Sequence, residues 1–232
     1  MDSTFLLSLK SKSPVFPSSR FMEKRYFSPI FLAGMAGFTH AALIVIDPAN
    51  VTASSQIGDA TTFDRDDDYI VDGSGLTGGQ HTGSVEPNMW LSSGTTFGGV
   101  DTDPRVTFDL GAEYVISQIQ VWNYNESPPN LTARGVNAVT INYGTTPALG
   151  ATVPGITNFA QATGAETYTG EIFNSFAPFT ARYIEFDIDS NHGGDNNFYG
   201  LSEVQFDGVL VPEPSTALLG GLALLGLIRR RR

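Results

Sequence analysis

Between residues 42 and 211 the apolar residues recur at every second position, in runs too short for anything but strands. In Arg105–Leu110 they are Val106, Phe108 and Leu110; in Val115–Val121, Ile119 and Val121 share a face. Val139, Ile141 and Tyr143 repeat the pattern, as do Ile184, Phe186 and Ile188, and then Val204 and Phe206. Clusters of Gly, Pro, Asn and Asp separate the runs. Period-two segments with turn residues between them predict a half-buried sheet, and several in series predict a sandwich or barrel. A two-sheet jelly roll handles the strand edges best, so the expected fold is all-β. No long helical period competes with it.

The two ends read differently. The chain finishes VPEPSTALLGGLALLGLIRRRR, with an uncharged apolar run from Ala217 to Ile228 followed by Arg229, Arg230, Arg231 and Arg232. That run is shorter than the roughly 20 residues an ordinary membrane span needs. A basic cluster directly after it is what holds a segment at the cytoplasmic side of a membrane. With Pro212, Glu213 and Pro214 in front, residues 212–232 resemble the bacterial PEP-CTERM sorting signal. The resemblance implies export from a Gram-negative-type cell, processing by an exosortase, and membrane contact through the tail before processing. At the other end, Lys10, Lys12, Arg20, Lys24 and Arg25 precede the apolar run Ile30–Phe38, and Thr39-His40-Ala41 offers small residues for signal peptidase. Residues 1–41 therefore read as a secretory signal, starting at Met1 or Met22. A signal helix and a short C-terminal apolar helix flank one domain, residues 42–211.

Charge sorts the same way. The domain keeps Arg65, Arg105, Arg134 and Arg182, no lysine, and 21 of the chain's 24 acids, so its formal charge is 4 − 21 = −17. Such a surface repels phosphate backbones, which argues against nucleic-acid binding. There is no cysteine, so no disulfide, thiol chemistry or Cys-zinc site is available.

Four stretches of the domain occur in the order found in discoidin-like domains, the coagulation-factor type C or galactose-binding-like fold. They are Val71–Thr77 with Met89-Trp90; Val106–Gly111; Ile119–Asn125 followed by Arg134-Gly135-Val136; and Ala181–Phe186 with Gly200–Phe206. The resemblance implies a core role for Trp90. It also implies a structural calcium held by Asp72, Ser74, Thr77 and Glu203, with backbone carbonyls completing the shell. Ser74 departs from the family, where Asn or Asp is commoner. Plainer readings are an Asx-turn for Asp72 and a solvent-facing strand position for Glu203. Asp64–Tyr69 and Asp187–His192 are acid-rich, but neither has the glycine and glutamate of an EF-hand, and both read as solvated loops.

A sugar site needs an aromatic platform and a few polar groups that fix hydroxyls. Candidates are Trp122, Tyr124, Arg134, His192, Asn196, Asn197 and Phe198, with the Gly/Asn-rich loop 191–198 foremost. A hairpin loop, and a bracing role for Arg134 at the Asn123–Asn125 turn, are the alternatives. No G-x-S-x-G, H-E-x-x-H or G-K-[ST] motif is present, so catalysis has no support. The expectation is a non-catalytic module that binds extracellular polysaccharide; the alternative is a cation-stabilised matrix protein without a specific small ligand.

Overall fold

The computed structural model describes residues 40–58, 63–84, 87–95, 97–193 and 197–212. The expected signal helix and the expected C-terminal apolar helix fall on residues outside those described. Eleven strands follow in order: β1 (Ala42–Leu43), β2 (Val51–Ala53), β3 (Leu76–Thr77), β4 (Gln80–His81), β5 (Trp90–Leu91), β6 (Arg105–Asn123), β7 (Val139–Gly144), β8 (Ala151–Thr152), β9 (Glu171–Phe173), β10 (Phe179–Ile188) and β11 (Gly200–Leu210). All their pairings are antiparallel.

Two expected strands, 105–110 and 115–121, are one. Gly111 looks like a turn residue but is a bend: its φ of +77° is open to glycine, and its amide donates to Asp109 Oδ1 at 2.9 Å. The bent strand serves both layers of the sandwich. Its first half pairs with β2 and β10, and its second half with β11 and β9, while β10 also follows it past the bend to Ile116. β7 and β8 extend the first layer; β1 and β5 flank β11 in the second.

The inward parity is the one the sequence predicts. Phe108 of β6, Phe186 of β10 and Phe206 of β11 are fully buried. Their rings meet edge to face, 5.2 Å from Phe108 to each of the others and 6.3 Å between Phe186 and Phe206. Burying each ring stabilises the fold by about 1.5–3 kcal/mol, with a further ~0.5–1.5 kcal/mol per well-set ring pair. Trp90 is buried, and its indole N–H donates to Ser55 O at 3.0 Å.

The sandwich has two distinct ends. β11 starts beside β5 at Gly200 and Leu201 and finishes at Leu210 beside Tyr114. Its 11 residues cover on the order of 35 Å at about 3.3 Å each. Ala42 pairs with Gly208, and Val211 donates to Glu113 O. The chain therefore enters and leaves the sandwich at one end, and the loops around β5 and Tyr124 form the other.

Candidate functional site

At that far end, loops from four parts of the chain enclose a cavity of about 280 Å³. It is lined by Ile57, Phe63, Arg65, Leu91, Phe97, Tyr124, Glu126, Leu131, Arg134 and Phe198. Each wall is set by local hydrogen bonding. Arg65 is seated by a two-sided bridge: its amide donates to Ile57 O at 2.9 Å, and its carbonyl accepts from Leu91 N at 3.3 Å. Arg134 ends a 3₁₀ helix, Pro129–Arg134, that begins on a proline needing no amide donor. Glu126 follows the end of β6, where the buried Asn125 side chain donates to the carbonyls of His81, Thr82 and Ala165 and accepts from Gly164 N. Asn197 Oδ1 accepts from Thr95 N at 3.1 Å and Thr95 Oγ1 at 2.7 Å, tying the Phe97 loop to the Phe198 loop.

The chemistry of the pocket is mixed. Glu126 is buried and shared by two guanidiniums, Arg65 at 3.4 Å and Arg134 at 3.2 Å. It also accepts from the Tyr124 hydroxyl. Burial, with the charge of Glu126, pushes the Tyr124 phenol up. Arg134 lies over the Phe198 ring, 5.0 Å from its centroid. Phe63 and Phe97 meet edge to face at 5.6 Å; they are 54% and 37% exposed, so their rings are free to face a ligand.

Three of the expected ligand residues, Tyr124, Arg134 and Phe198, thus converge, and three do not. Trp122 has the outward parity, but it is 1% exposed; its N–H donates to Gly79 O at 3.2 Å, and Gly170 packs on its ring. It is no surface platform. His192 faces Phe159 O at 3.0 Å and its pKa is lowered by burial, so it ties its loop to the segment at Phe159. Asn197 is occupied with Thr95. Asn196 lies outside the described residues. Arg134 braces Glu126 rather than the Asn123–Asn125 turn. Sequence reasoning missed Arg65, Glu126, Phe63 and Phe97; the available signal was two lone phenylalanines, Phe63 in an acid-rich stretch and Phe97 in a glycine-rich one.

The expected cation residues lie elsewhere. Glu203 is not solvent-facing: it is 1% exposed, and its Oε2 accepts from Gly73 N at 3.1 Å. Burial pushes its carboxyl from 4.5 up to about 8, with nearby Asp72 adding to the rise. Asp72 caps its own turn, accepting from Ser74 N at 2.7 Å. Ser74 Oγ is buried without a partner among the described residues. An orphaned hydroxyl on the turn whose amides meet Asp72 and Glu203 belongs to a donor set of the kind that suits a hard cation. Thr77 is exposed in β3. Among the described residues no three His, Asp or Glu side chains converge to hold a metal, so a cation here would rely on hydroxyl and carbonyl oxygens. The Asp64–Tyr69 loop is partly built in rather than solvated: Asp64 Oδ2 accepts from Tyr69 Oη at 2.7 Å and Asp67 Oδ2 from Ala53 N at 2.7 Å.

A second hollow, about 410 Å³, lies against Asp101, Asp103, Asp187 and Asp189. Two of its four acids are already engaged: Asp101 accepts from Ser54 and Ser55, and Asp103 pairs with Arg105. Tyr199, its aromatic residue, is buried. It offers no platform.

Comparison with known proteins matches the two parts separately. Residues 210–232 match the model of the PEP-CTERM protein-sorting motif. The tail is a PEP-CTERM sorting signal. It marks the protein for export to the envelope or beyond. No curated protein matches the chain. Among solved structures, the C-terminal domain of a chitobiase from Bacteroides fragilis is similar at 14% identity, over 74% of this chain and all of that one, with a TM-score of 0.52. A fucolectin from striped bass serum is similar at 15% identity, over 76% of this chain and 52% of that one, with a TM-score of 0.50. The chain spans 36% of a truncated AlyQ with family 32 carbohydrate-binding and alginate lyase domains, at 22% identity over 75% of this chain and a TM-score of 0.43. The fold is the discoidin-like, galactose-binding-like sandwich.

Proposed function

We propose that the protein is a non-catalytic carbohydrate-binding module, exported from a Gram-negative-type cell and carried to the envelope by its tail, where it holds extracellular polysaccharide. One observation carries this reading: three phenylalanine rings and an arginine–glutamate–arginine cluster meet in a single cavity. Aromatic rings suit the apolar face of a sugar, and the charged groups suit its hydroxyls. A matrix protein with no small ligand has no use for exposed rings gathered at one spot. Position supports it too, since the chain leaves the domain towards its tail at one end of the sandwich and the cavity lies at the other. That the similar solved domains include a fucolectin agrees with the reading.

Signal peptidase and an exosortase would act on the two ends during export. Calcium is the proposed structural cofactor, held by Asp72, Ser74, Glu203 and backbone carbonyls, with Thr77 at the edge of the set. It would tie the first long loop to β11.

The test is a polysaccharide and glycan array probed with the full chain in mild detergent, with calcium and with chelator. Binding to a defined glycan, lost in Phe97→Ala and Phe198→Ala with unchanged melting, supports the module. Absence of binding across the array in both conditions sinks it.

A further inference from the structure

We infer that the cavity selects an anionic sugar residue, whose carboxylate or sulfate is received by Arg134. The inference rests on the carbohydrate-binding reading and adds the class of ligand. It comes from the distribution of positive charge. The domain has four cationic side chains against 21 acids. Arg182 is matched by its own carboxylate, Asp109, through two bonds of 2.7 and 2.9 Å, and Arg105 by Asp103. The other two arginines line the cavity and share one carboxylate, Glu126. The cavity is therefore the place in the described domain where guanidiniums outnumber the acids lining it, by two to one.

Arg134 is built to use that excess. Among the described residues its donors meet one acceptor, Glu126, through Nη1. Its Cζ lies 5.0 Å from the Phe198 ring centroid, a cation–π contact that holds the guanidinium against an apolar ring. Its side chain is still 33% exposed, so the remaining N–H edge is reachable from the cavity. A planar fork held against an apolar ring is the geometry that receives a carboxylate or sulfate through paired, charge-assisted bonds. A neutral hexose would use the ring platforms and Glu126 equally well but would leave this edge to water.

Calorimetric titration of the full chain in mild detergent tests the inference. The probes are pectate and alginate oligosaccharides, each beside its methyl ester, and a sulfated galactan oligosaccharide beside its desulfated form. At least one charged probe is expected to bind about tenfold or more tighter than its neutral twin, the usual worth of a charge-assisted bond. Arg134→Gln should erase that difference, so that charged and neutral probes bind alike whatever the loss common to both, and Arg134→Lys should restore part of it. Preference confined to the uronates assigns a carboxylate; preference confined to the galactan assigns a sulfate. Neutral probes binding as well as charged ones, or a preference that survives Arg134→Gln, overturns the inference and leaves the carbohydrate reading standing. No binding to any probe, together with a blank glycan array, removes both.

Discussion

Glu203 gives the domain a pH dependence that a cation should abolish. Its carboxyl is buried and pushed from 4.5 up to about 8, so the folded state prefers the protonated form while the unfolded state ionises near 4.5. The contribution is intact below pH 4.5, shrinks as the pH rises, and is gone by about pH 8. At 1.36 kcal/mol per pH unit, the loss across this window is about 3–5 kcal/mol. For a domain of this size that is on the order of 10 °C in Tm. The assay is thermal unfolding by circular dichroism from pH 4.5 to 8.5 in chelator, for the parent and for Glu203→Gln. Asp66, raised to about 6 by burial and by Asp64, titrates in both proteins, so the difference between the curves isolates Glu203. The variant should match the parent near pH 4.5 and exceed it at pH 8. Calcium should lift the parent at pH 8 and leave the variant unchanged, because the amide supplies no charge to the ion. Parallel curves in chelator would refute the buried-carboxyl reasoning. A calcium response that persists in Glu203→Gln would refute the proposed site.

The remaining predictions concern packing and the cavity. A Cβ on Gly94 would lie 2.1 Å from Phe198 Cε1, so Gly94→Ala should push that ring from under Arg134 and weaken glycan binding on the array while melting shifts by only a few degrees. Glu126→Leu removes the carboxylate that Arg65 and Arg134 share, and should cost about 3 kcal/mol in chemical denaturation. Phe206→Ala removes the ring that meets both Phe108 and Phe186, and should cost about 3–5 kcal/mol by the same measurement.

The strands were legible because one face of each is buried, which forces the period of two on Val106, Phe108, Ile184, Phe186, Val204 and Phe206. The continuity of β6 was not, because a glycine two residues after an aspartate signals a turn and a bend alike; only the pairing with β10 on both sides of Gly111 separates them. The buried face of Trp90 followed from the family resemblance. Trp122 shows the limit of parity: the alternation placed it outside the core, but loops at Gly79 and Gly170 cover it. The cavity was half legible. Tyr124, Arg134 and Phe198 were named from residue type, whereas Arg65 and Phe63 stood in what read as an acid-rich loop and Phe97 in a plain glycine-rich one. Their convergence depends on four loops far apart in sequence, which no local pattern encodes. Asn197 and His192 carry the residue types of a sugar site but spend their polar atoms tying loops to other segments.

The most direct test of the carbohydrate-binding account is where a glycan touches. Neither tryptophan is exposed, so indole fluorescence is a poor reporter, and two-dimensional amide NMR of the isotope-labelled chain is the better measurement. Titration with the glycan found on the array should move amides in 57–65, 91–97, 124–134 and 197–198, and leave those at 101–104 and 187–189 in place. Shifts centred on the acidic hollow, or spread over the sheet faces with the Phe97 and Phe198 loops unmoved, would contradict it.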